Sequence, residues 1–406
     1  MDALTTPSNW QRVRLGDVAE IKRGASPRPI ENPKWFCTNS NVGWVRISDI
    51  SKNSRFLYKT AQKLSKKGIE KSRLVKQNSL IMSMCATIGK PIITKIDTCI
   101  HDGFVVFENP KIDLNYLYYF LCYIEKEWLE SGQQGSQVNL NVDLIKNKEV
   151  FCPKDLNEQI AIANILSDVD HYLYTLDALI LKKESVKKAL RIKMLNQILA
   201  SNGVEFRELG DIILSLKTGL NPRSFFKLNT PNANNYYVTI RELEDYTIKF
   251  THQTDRIDDN ALSLCLKRSN LEKDDILFSG TGTIGKVSII EKNPNNWAIK
   301  EGIYSIKPNK KIVFPRFLMF CLESSNIQND IKNKSFGGIV KSIPMNDLQQ
   351  IQIPLPPLNE QIAIANILSA LDHEIISLKN KKRQFENIKK ALNHDLMSAK
   401  IRVLKK

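Results

Sequence analysis

The chain has 406 residues, 42% of them hydrophobic and 25% charged, and it carries a formal net charge of +16 at pH 7. This length allows two or three domains that each bury a core of their own. No apolar run approaches the ~20 residues that cross a bilayer, and the opening MDALTTPSNW lacks the basic and apolar segments of a secretion signal, so we expect a cytoplasmic protein without membrane contact.

The positive charge is concentrated in the first hundred residues, which contain 18 Lys and Arg against 7 Asp and Glu. The densest stretch, KNSRFLYKTAQKLSKKGIEKSRLVK (52–76), has nine basic residues and one acid, with Phe56 and Tyr58 between them. Basic clusters of this kind neutralise phosphates and release counterions. A solvated basic face is the alternative, but the near absence of acids favours a nucleic acid partner.

Residues 280–287, GTGTIGKV, fit seven of the eight positions of the phosphate-binding pattern G-x-x-x-x-G-K-[ST]. The eighth position needs a hydroxyl for magnesium, but here it is Val287. The residues that follow predict a strand, whereas a phosphate loop would open a helix. An earlier copy (83–91) lacks the first glycine and ends in proline. Both copies lie between apolar runs, which predicts a β-hairpin with Gly89 and Gly285 in the turn.

An internal repeat organises the whole chain. LNEQIAIANILSDVDH (156–171) returns as LNEQIAIANILSALDH (358–373) with 14 of 16 positions identical, and LGD and TIGK also recur in the same order. Such self-similarity indicates a duplicated structural unit. We therefore predict two mixed domains of short strands and helices, each followed by a long helix; the bounds are 1–153 and 204–355 for the domains, and 154–203 and 356–406 for the helices.

Both long helices carry apolar residues at heptad spacing, and lysines interrupt both seams at matching places. An ordinary buried helix face also gives such a stripe. Two helices of about 43 residues, each ~65 Å long, have nothing else of that length to bury them, so we expect them to pair with each other. If the large domains lie at opposite ends, the pair is antiparallel. The interrupting lysines are Lys183 and Lys187 in the first helix, and Lys382 and Lys389 in the second.

Two divergent domains, each followed by a near-identical helix that opens LNEQIAIANIL, resemble the specificity (S) subunit of Type I restriction-modification enzymes over essentially the whole chain. The resemblance implies an α+β chain with two mixed α/β DNA target recognition domains, joined by two long helices that form an antiparallel coiled coil. Each domain would read one half of a split, asymmetric sequence in double-stranded DNA, and the helices would set the spacing. One departure is FCPKDLNEQ at the first junction, which is poorer in proline than is usual in the family.

The resemblance also implies that the chain is not an enzyme by itself. It would dock two DNA adenine methyltransferase (M) subunits, and whether restriction (R) subunits join them is left open. S-adenosylmethionine, ATP and magnesium would belong to these partners, with no cofactor in this chain. A repeated partner contact needs repeated residues, so the candidates for it are Asn157, Glu158 and Gln159 with Asn359, Glu360 and Gln361.

Candidate DNA contacts follow from residue type, because phosphate contacts position a protein and base contacts specify the sequence. We assign mainly to phosphates Lys52, Arg55, Lys59, Lys63, Lys66, Lys67, Lys71 and Arg73, with Lys90 and Lys286 at the two Thr-Ile-Gly-Lys turns as further candidates. Amide and hydroxyl groups in glycine-rich loops are candidates for base edges, with a flexible polar turn as the alternative. In SGQQGSQVN these are Gln133, Gln134, Ser136, Gln137 and Asn139. The corresponding stretch of the second half, KSFGGIVKS, offers Lys334, Ser335, Lys341 and Ser342, and further candidates in the second domain are Arg223, Lys227 and Arg241.

The sequence contains few residues that would predict catalytic chemistry. No Asn/Asp-Pro-Pro-Tyr/Phe stretch is present to hold a target adenine. The seven cysteines include no C-x-x-C pair and no histidine at ligand spacing, so a zinc site is not predicted. Glu20-Ile21-Lys22 matches part of a nuclease pattern, but its copy at 214–217 loses it. The alternative to DNA recognition is a coiled-coil scaffold that binds DNA non-specifically.

Overall fold

The computed structural model describes residues 7–51, 55–131, 140–200, 204–222, 225–338 and 340–403. The chain forms two compact units. The first unit consists of Met1–Leu176 and Lys382–Lys406, and the second unit consists of Asp177–Lys381. Each unit therefore combines one mixed α/β segment with part of each long helix.

The first unit contains a two-stranded ribbon, a five-stranded sheet and a four-stranded sheet, in the orders β1-β11, β2-β10-β7-β8-β4 and β5-β3-β9-β6. The strands are β1 Trp10–Arg14, β2 Glu20–Arg23, β3 Gly43–Val45, β4 Phe56–Leu57, β5 Gln62–Lys63, β6 Arg73–Val75, β7 Leu80–Ser83, β8 Pro91–Thr94, β9 Thr98–Ile100, β10 Phe104–Glu108 and β11 Glu149–Pro153. The helices are α1 Leu15–Val18, α2 Ile47–Ser51, α3 Lys66–Glu70, α4 Leu114–Tyr123, α5 Glu125–Ser131, α6 Val142–Asn147 and the long α7 Leu156–Ala200, with a 3₁₀ turn at Pro33–Trp35.

The second unit repeats this plan, with strand orders β12-β22, β13-β21-β18-β19 and β17-β14-β20, and a small β15-β16 hairpin. The strands are β12 Glu205–Glu208, β13 Ile213–Thr218, β14 Asn235–Val238, β15 Leu243–Glu244, β16 Thr247–Ile248, β17 Arg256–Ile257, β18 Ile276–Ser279, β19 Val287–Ile289, β20 Trp297–Ile299, β21 Ile303–Pro308 and β22 Gln352–Leu355. The helices are α8 Asp259–Ser269, α9 Pro315–Leu322, α10 Ser325–Asn333, α11 Met345–Gln349 and the long α12 Leu358–Met397, with a 3₁₀ turn at Leu209–Ile212.

The two units share the order of most of their strands, which confirms the predicted internal repeat and the α+β class. The order β2-β10-β7-β8 corresponds to β13-β21-β18-β19. In the smaller sheets a parallel pair recurs, with Gly43 opposite Thr98 and Tyr236 opposite Trp297.

The central strands are buried on both faces, so their sequences lack the polar alternation of a half-exposed strand. In β7, Leu80 and Met82 pack into one core cluster with α4, whereas Ile81 packs into another cluster with the smaller sheet. In β18, Ile276 and Leu277 separate in the same way. A continuous apolar run is therefore the pattern that this layered packing requires.

The TIGK segments form the predicted hairpins. β7 pairs antiparallel with β8, and β18 pairs antiparallel with β19. Gly89 and Gly285 have φ of 75° and 92°, which favour glycine. The N–H groups of Gly285 and Lys286 donate to the Ser279 carbonyl at 2.9 Å and the Ser279 hydroxyl at 2.8 Å, so these amides are occupied by the chain itself and do not form a phosphate loop.

The two long helices are antiparallel partners within each unit. In the first unit, Asp170 of α7 pairs with Lys389 of α12. In the second unit, Lys183 pairs with Glu374 and Lys187 pairs with Asp372. Residue numbers fall along one helix as they rise along the other, which confirms the predicted antiparallel pairing. In the described part of the chain, no helix has both the length and the apolar character needed to cross a membrane.

Candidate nucleic-acid and partner interfaces

The lysines around α3 form a surface that we call the basic face, consisting of Lys34, Lys63, Lys66, Lys67 and Lys71. Ser65 caps α3 by accepting a hydrogen bond from the Gly68 N–H at 3.2 Å, and its own N–H donates to the Trp35 carbonyl at 2.8 Å. These bonds hold the 3₁₀ turn of Lys34 against α3. All five lysines are exposed, and among the described residues Lys63, Lys66, Lys67 and Lys71 have no ion-pair partner.

The other phosphate candidates of the first unit differ in accessibility. Lys59 is exposed beside Tyr58, whose side chain is 64% exposed. Lys90 is half-buried, and Arg73 donates from its Nε to the Arg23 carbonyl at 2.5 Å. Outside the described residues lie the candidates Lys52, Gln133, Gln134, Ser136, Gln137 and Asn139.

Arg55 is buried, with 7% of its surface exposed, so its assignment to a phosphate is wrong. Its guanidinium donates to the Tyr119 hydroxyl at 2.9 Å, to the Asn115 side chain at 2.6 Å and to the Ser167 hydroxyl. It also lies 4.8 Å from the Phe56 ring centroid. Arg55 therefore joins the β4 segment to α4 and α7 inside the first unit.

Several candidate DNA-contacting residues of the second unit already form hydrogen bonds or ion pairs within that unit. Arg241 pairs with Asp255 at 2.7 Å, and the Lys286 Nζ donates to the Ile240 carbonyl at 3.3 Å. The Ser335 hydroxyl donates to the Ile331 carbonyl at 2.5 Å. The Lys334 Nζ donates to the Gln350 side chain at 3.3 Å, Ser342 is half-buried, Lys227 and Lys341 are exposed, and Arg223 lies outside the described residues.

Lys286 also lines a cavity of about 620 Å³ in the second unit, beneath the turn between β18 and β19. The same cavity is lined by acidic residues, including Glu244, Glu323 and Asp372, and by further basic residues, including Lys187 and Arg191. Burial raises the pKa of the Asp372 carboxyl, and burial together with the Glu323 carboxylate raises the pKa of the Tyr246 hydroxyl. Because both acidic and basic side chains line this cavity, it offers no net attraction to a phosphate.

Gln159 and Gln361 occupy the same position in the two helix openings and are 2% and 1% exposed. The Gln159 side chain accepts from the Asp113 N–H at 2.8 Å and donates to the Pro153 carbonyl at 2.8 Å. Gln361 accepts from the Phe314 N–H at 2.9 Å and donates at 2.9 Å to a proline carbonyl just before its helix. Their predicted partner contacts are wrong, because each amide anchors a long helix to its own unit.

Replacing Gln361 with Leu is expected to lower the free energy of unfolding by about 1–3 kcal/mol, because the Phe314 N–H would be buried without an acceptor. Gln159→Leu should behave alike. Asn359→Ala, at an exposed position of the same helix opening, is the control and should stay within about 0.5 kcal/mol of the parent. Urea unfolding measures all three, and equal stability of Gln361→Leu and Asn359→Ala would contradict the anchoring role.

The outer face of each helix opening is partly apolar. Leu156 and Ile160 are 50% and 37% exposed, and their repeats Leu358 and Ile362 are 38% and 37% exposed. Sequence reasoning missed these residues, although their identity in both copies was the available signal. We call the two sets the helix-opening patches. Of the other predicted partner residues, Asn157, Asn359 and Glu360 are exposed, whereas Glu158 accepts hydrogen bonds from Asn9 and Trp10 at 2.9 and 3.2 Å.

The family model of the Type I restriction modification DNA specificity domain matches residues 7–183 and again residues 201–387. The chain belongs to this family. Its two matched segments correspond to the two repeats of the fold, so the predicted resemblance is confirmed.

Relatives in the DNA specificity family extend over the same length. The chain is 28% identical to a Methanocaldococcus jannaschii protein provisionally named type I restriction enzyme MjaX specificity subunit, over 98% of this chain and 95% of that one. It is 25% identical to the type I restriction enzyme MjaVIII specificity subunit of the same organism, over 99% and 95%. The crystal structure of a Type-I restriction-modification system S subunit from M. genitalium shares the fold, with a TM-score of 0.62 at 16% identity and 97% coverage of both chains.

Among the residues that the structure describes, no group of three or more His, Cys, Asp or Glu side chains could hold a metal ion. The seven cysteines are all unpaired. Among the described residues, the exposed candidate contacts of this specificity-family chain include the basic face, the helix-opening patches and loop residues of the second unit.

Proposed function

We propose that the chain is the DNA sequence-recognition subunit of a Type I restriction-modification complex and catalyses no reaction itself. Each unit reads one half of a bipartite, asymmetric site in double-stranded DNA, and the helix pair sets the spacing between the halves. S-adenosylmethionine, ATP and magnesium act in partner subunits, which are two methyltransferase subunits and, for cleavage, restriction subunits. Such a complex works where the chromosome lies, in the cytoplasm.

One observation carries this proposal: the two units share strand order and helix openings but differ where they face solvent. The lysines of α3 have no charged partner among the described residues. At the corresponding place in the second unit stands α8, a longer helix that begins with Asp258 as its N-cap and Asp259. A shared scaffold suits a repeated partner, and differing surfaces suit different half-sites, since base readout needs varied side chains.

The helix-opening patches support docking of a methyltransferase subunit at each repeat. A pair of exposed aliphatic side chains, repeated without change, fits an apolar contact made twice. Buried apolar contacts stabilise an interface at roughly 25 cal/mol per Å², so a charge placed there should be disruptive.

Replacing Leu156 and Ile160 with Asp is expected to reduce methyltransferase binding from two copies to one per chain. The same change at Leu358 and Ile362 should also leave one copy, and the combined variant should bind none. Native mass spectrometry of the purified complex measures this. A control with Asp at the exposed Leu181, which is 64% exposed on the same helix, should keep both copies; two copies in the combined variant would contradict the docking assignment.

Selection from a library of random duplexes tests the recognition function. The chain, purified with its methyltransferase subunit, should enrich a motif with two short specified segments separated by a fixed number of unspecified base pairs. Enrichment of no motif by a soluble, assembled complex would overturn the proposal and favour the scaffold with non-specific DNA binding.

A further inference from the structure

A loop of the second unit holds an aromatic ring out in solvent. Phe336 is 61% exposed, and Val340 of the same loop is 60% exposed. Aromatic side chains gain much free energy when they leave water, so clustered exposed apolar groups commonly mark a binding surface. Among the described residues of this unit, the apolar tip of the loop is therefore mostly uncovered.

The backbone around this ring is fixed rather than loose. The Phe336 N–H donates to the Ser342 carbonyl at 2.9 Å, and the Ser342 N–H donates to the Phe336 carbonyl at 2.8 Å. Lys341 and Ile343 make further backbone bonds of 2.8 and 2.9 Å to the turn that follows β18. These four backbone hydrogen bonds hold the loop that carries the ring. Less conformational entropy is therefore lost when the ring is inserted into a partner.

The charges beside the ring identify the partner as a polyanion. Residues 332–346 contain three lysines and no acidic residue. Lys332 and Lys341 are exposed. Gly338 has no heavy atom within 4 Å of where a Cβ would stand, which leaves room for another backbone to approach. Exposed lysines before and after an exposed ring in the sequence suit duplex DNA, where phosphates flank stacked bases.

We propose that Phe336 is a wedge that inserts between two adjacent base pairs of the half-site read by the second unit. The lysines beside it hold the flanking phosphates, and the ring replaces the base stacking that it interrupts. Because a step that unstacks easily costs less to open, the wedge selects for the deformability of that step as well as for its bases. This inference rests on the proposed function.

The test uses the complex with its methyltransferase subunit and a duplex containing the selected site, with 2-aminopurine placed at each step of the second half-site in turn. The parent complex should raise the fluorescence at one step, where unstacking occurs. Phe336→Ala should abolish that rise and weaken specific binding by about 5- to 150-fold, the range for loss of one stacked base. Phe336→Trp should retain both. The matched control is Phe206→Ala, which removes a 47% exposed phenylalanine from β12 of the same unit and should change neither.

Three results would overturn the wedge. If the parent complex binds its split site but Phe336→Ala keeps the affinity and the fluorescence rise, the wedge is wrong while the recognition function stands. If the parent complex selects no split site, both fail together. Loss of affinity equally for Phe336→Ala and Phe206→Ala would assign the effect to apolar surface in general and would also reject the wedge.

Discussion

Replacing Lys63, Lys66, Lys67 and Lys71 with Gln is expected to weaken binding to every duplex, whether or not it contains the recognised site. Log affinity falls with log salt, and each lost phosphate contact should make this negative slope shallower by about 0.9, so its magnitude should decrease by about 3 to 4. The reason is that these four lysines are exposed and have no ion-pair partner in the described part of the chain. Fluorescence anisotropy at several salt concentrations measures the slope.

A matched control separates direct contact from net charge. Lys22, Lys76, Lys249 and Lys310 are all paired with carboxylates. Replacing these four with Gln changes the net charge by the same amount, but it removes side chains that already have partners. The control should leave the slope nearly unchanged. If the salt dependence becomes shallower by the same amount in both variants, overall charge and not the basic face attracts DNA.

Replacing Asp372 with Ala is expected to lower the free energy of unfolding by about 3–5 kcal/mol, because it leaves the Lys187 ammonium buried without its carboxylate. The two side chains are each 11% exposed and approach to 2.5 Å. Urea unfolding of the full chain measures the loss. The equivalent pair in the first unit, Asp170 with Lys389, is 21% and 30% exposed, so Asp170→Ala should cost less.

A double substitution tests whether the cost comes from the uncompensated charge. Lys187→Met with Asp372→Leu removes both charges and keeps apolar volume, so it should recover most of the stability lost in Asp372→Ala. If the double variant is as unstable as the sum of its single variants, the two groups do not act as a pair.

The helix pairing could be predicted because its signals are local and periodic. An apolar residue at each heptad position marks the buried face of a helix wherever it packs, and Leu166 and Leu368 are indeed buried. Lys187 and Lys389 interrupted the seams in the sequence. The acids that compensate them lie on the other helix, about 185 and 219 positions away in the chain, so spacing alone could not supply the pairs.

The site residues were harder to predict because exposure depends on distant parts of the chain. Arg55 lies in a basic run, but its partners Asn115, Tyr119 and Ser167 are 60, 64 and 112 residues away. Gln159 similarly belongs to a motif whose identity in both copies suggested a partner contact. Identity in a repeat indicates a shared environment, and that environment can be the interior of each unit as well as a repeated interface.

The most direct test of the central claim is a genome-wide map of N6-methyladenine in a host without adenine methylation, expressing the associated methyltransferase with and without this chain. DNA recognition by the two units predicts methylation at a split, asymmetric motif that is present only when this chain is expressed. Two outcomes would contradict sequence recognition when both proteins are soluble and associated. Either no methylation is found in the culture that expresses this chain, or the methylation is the same with and without the chain.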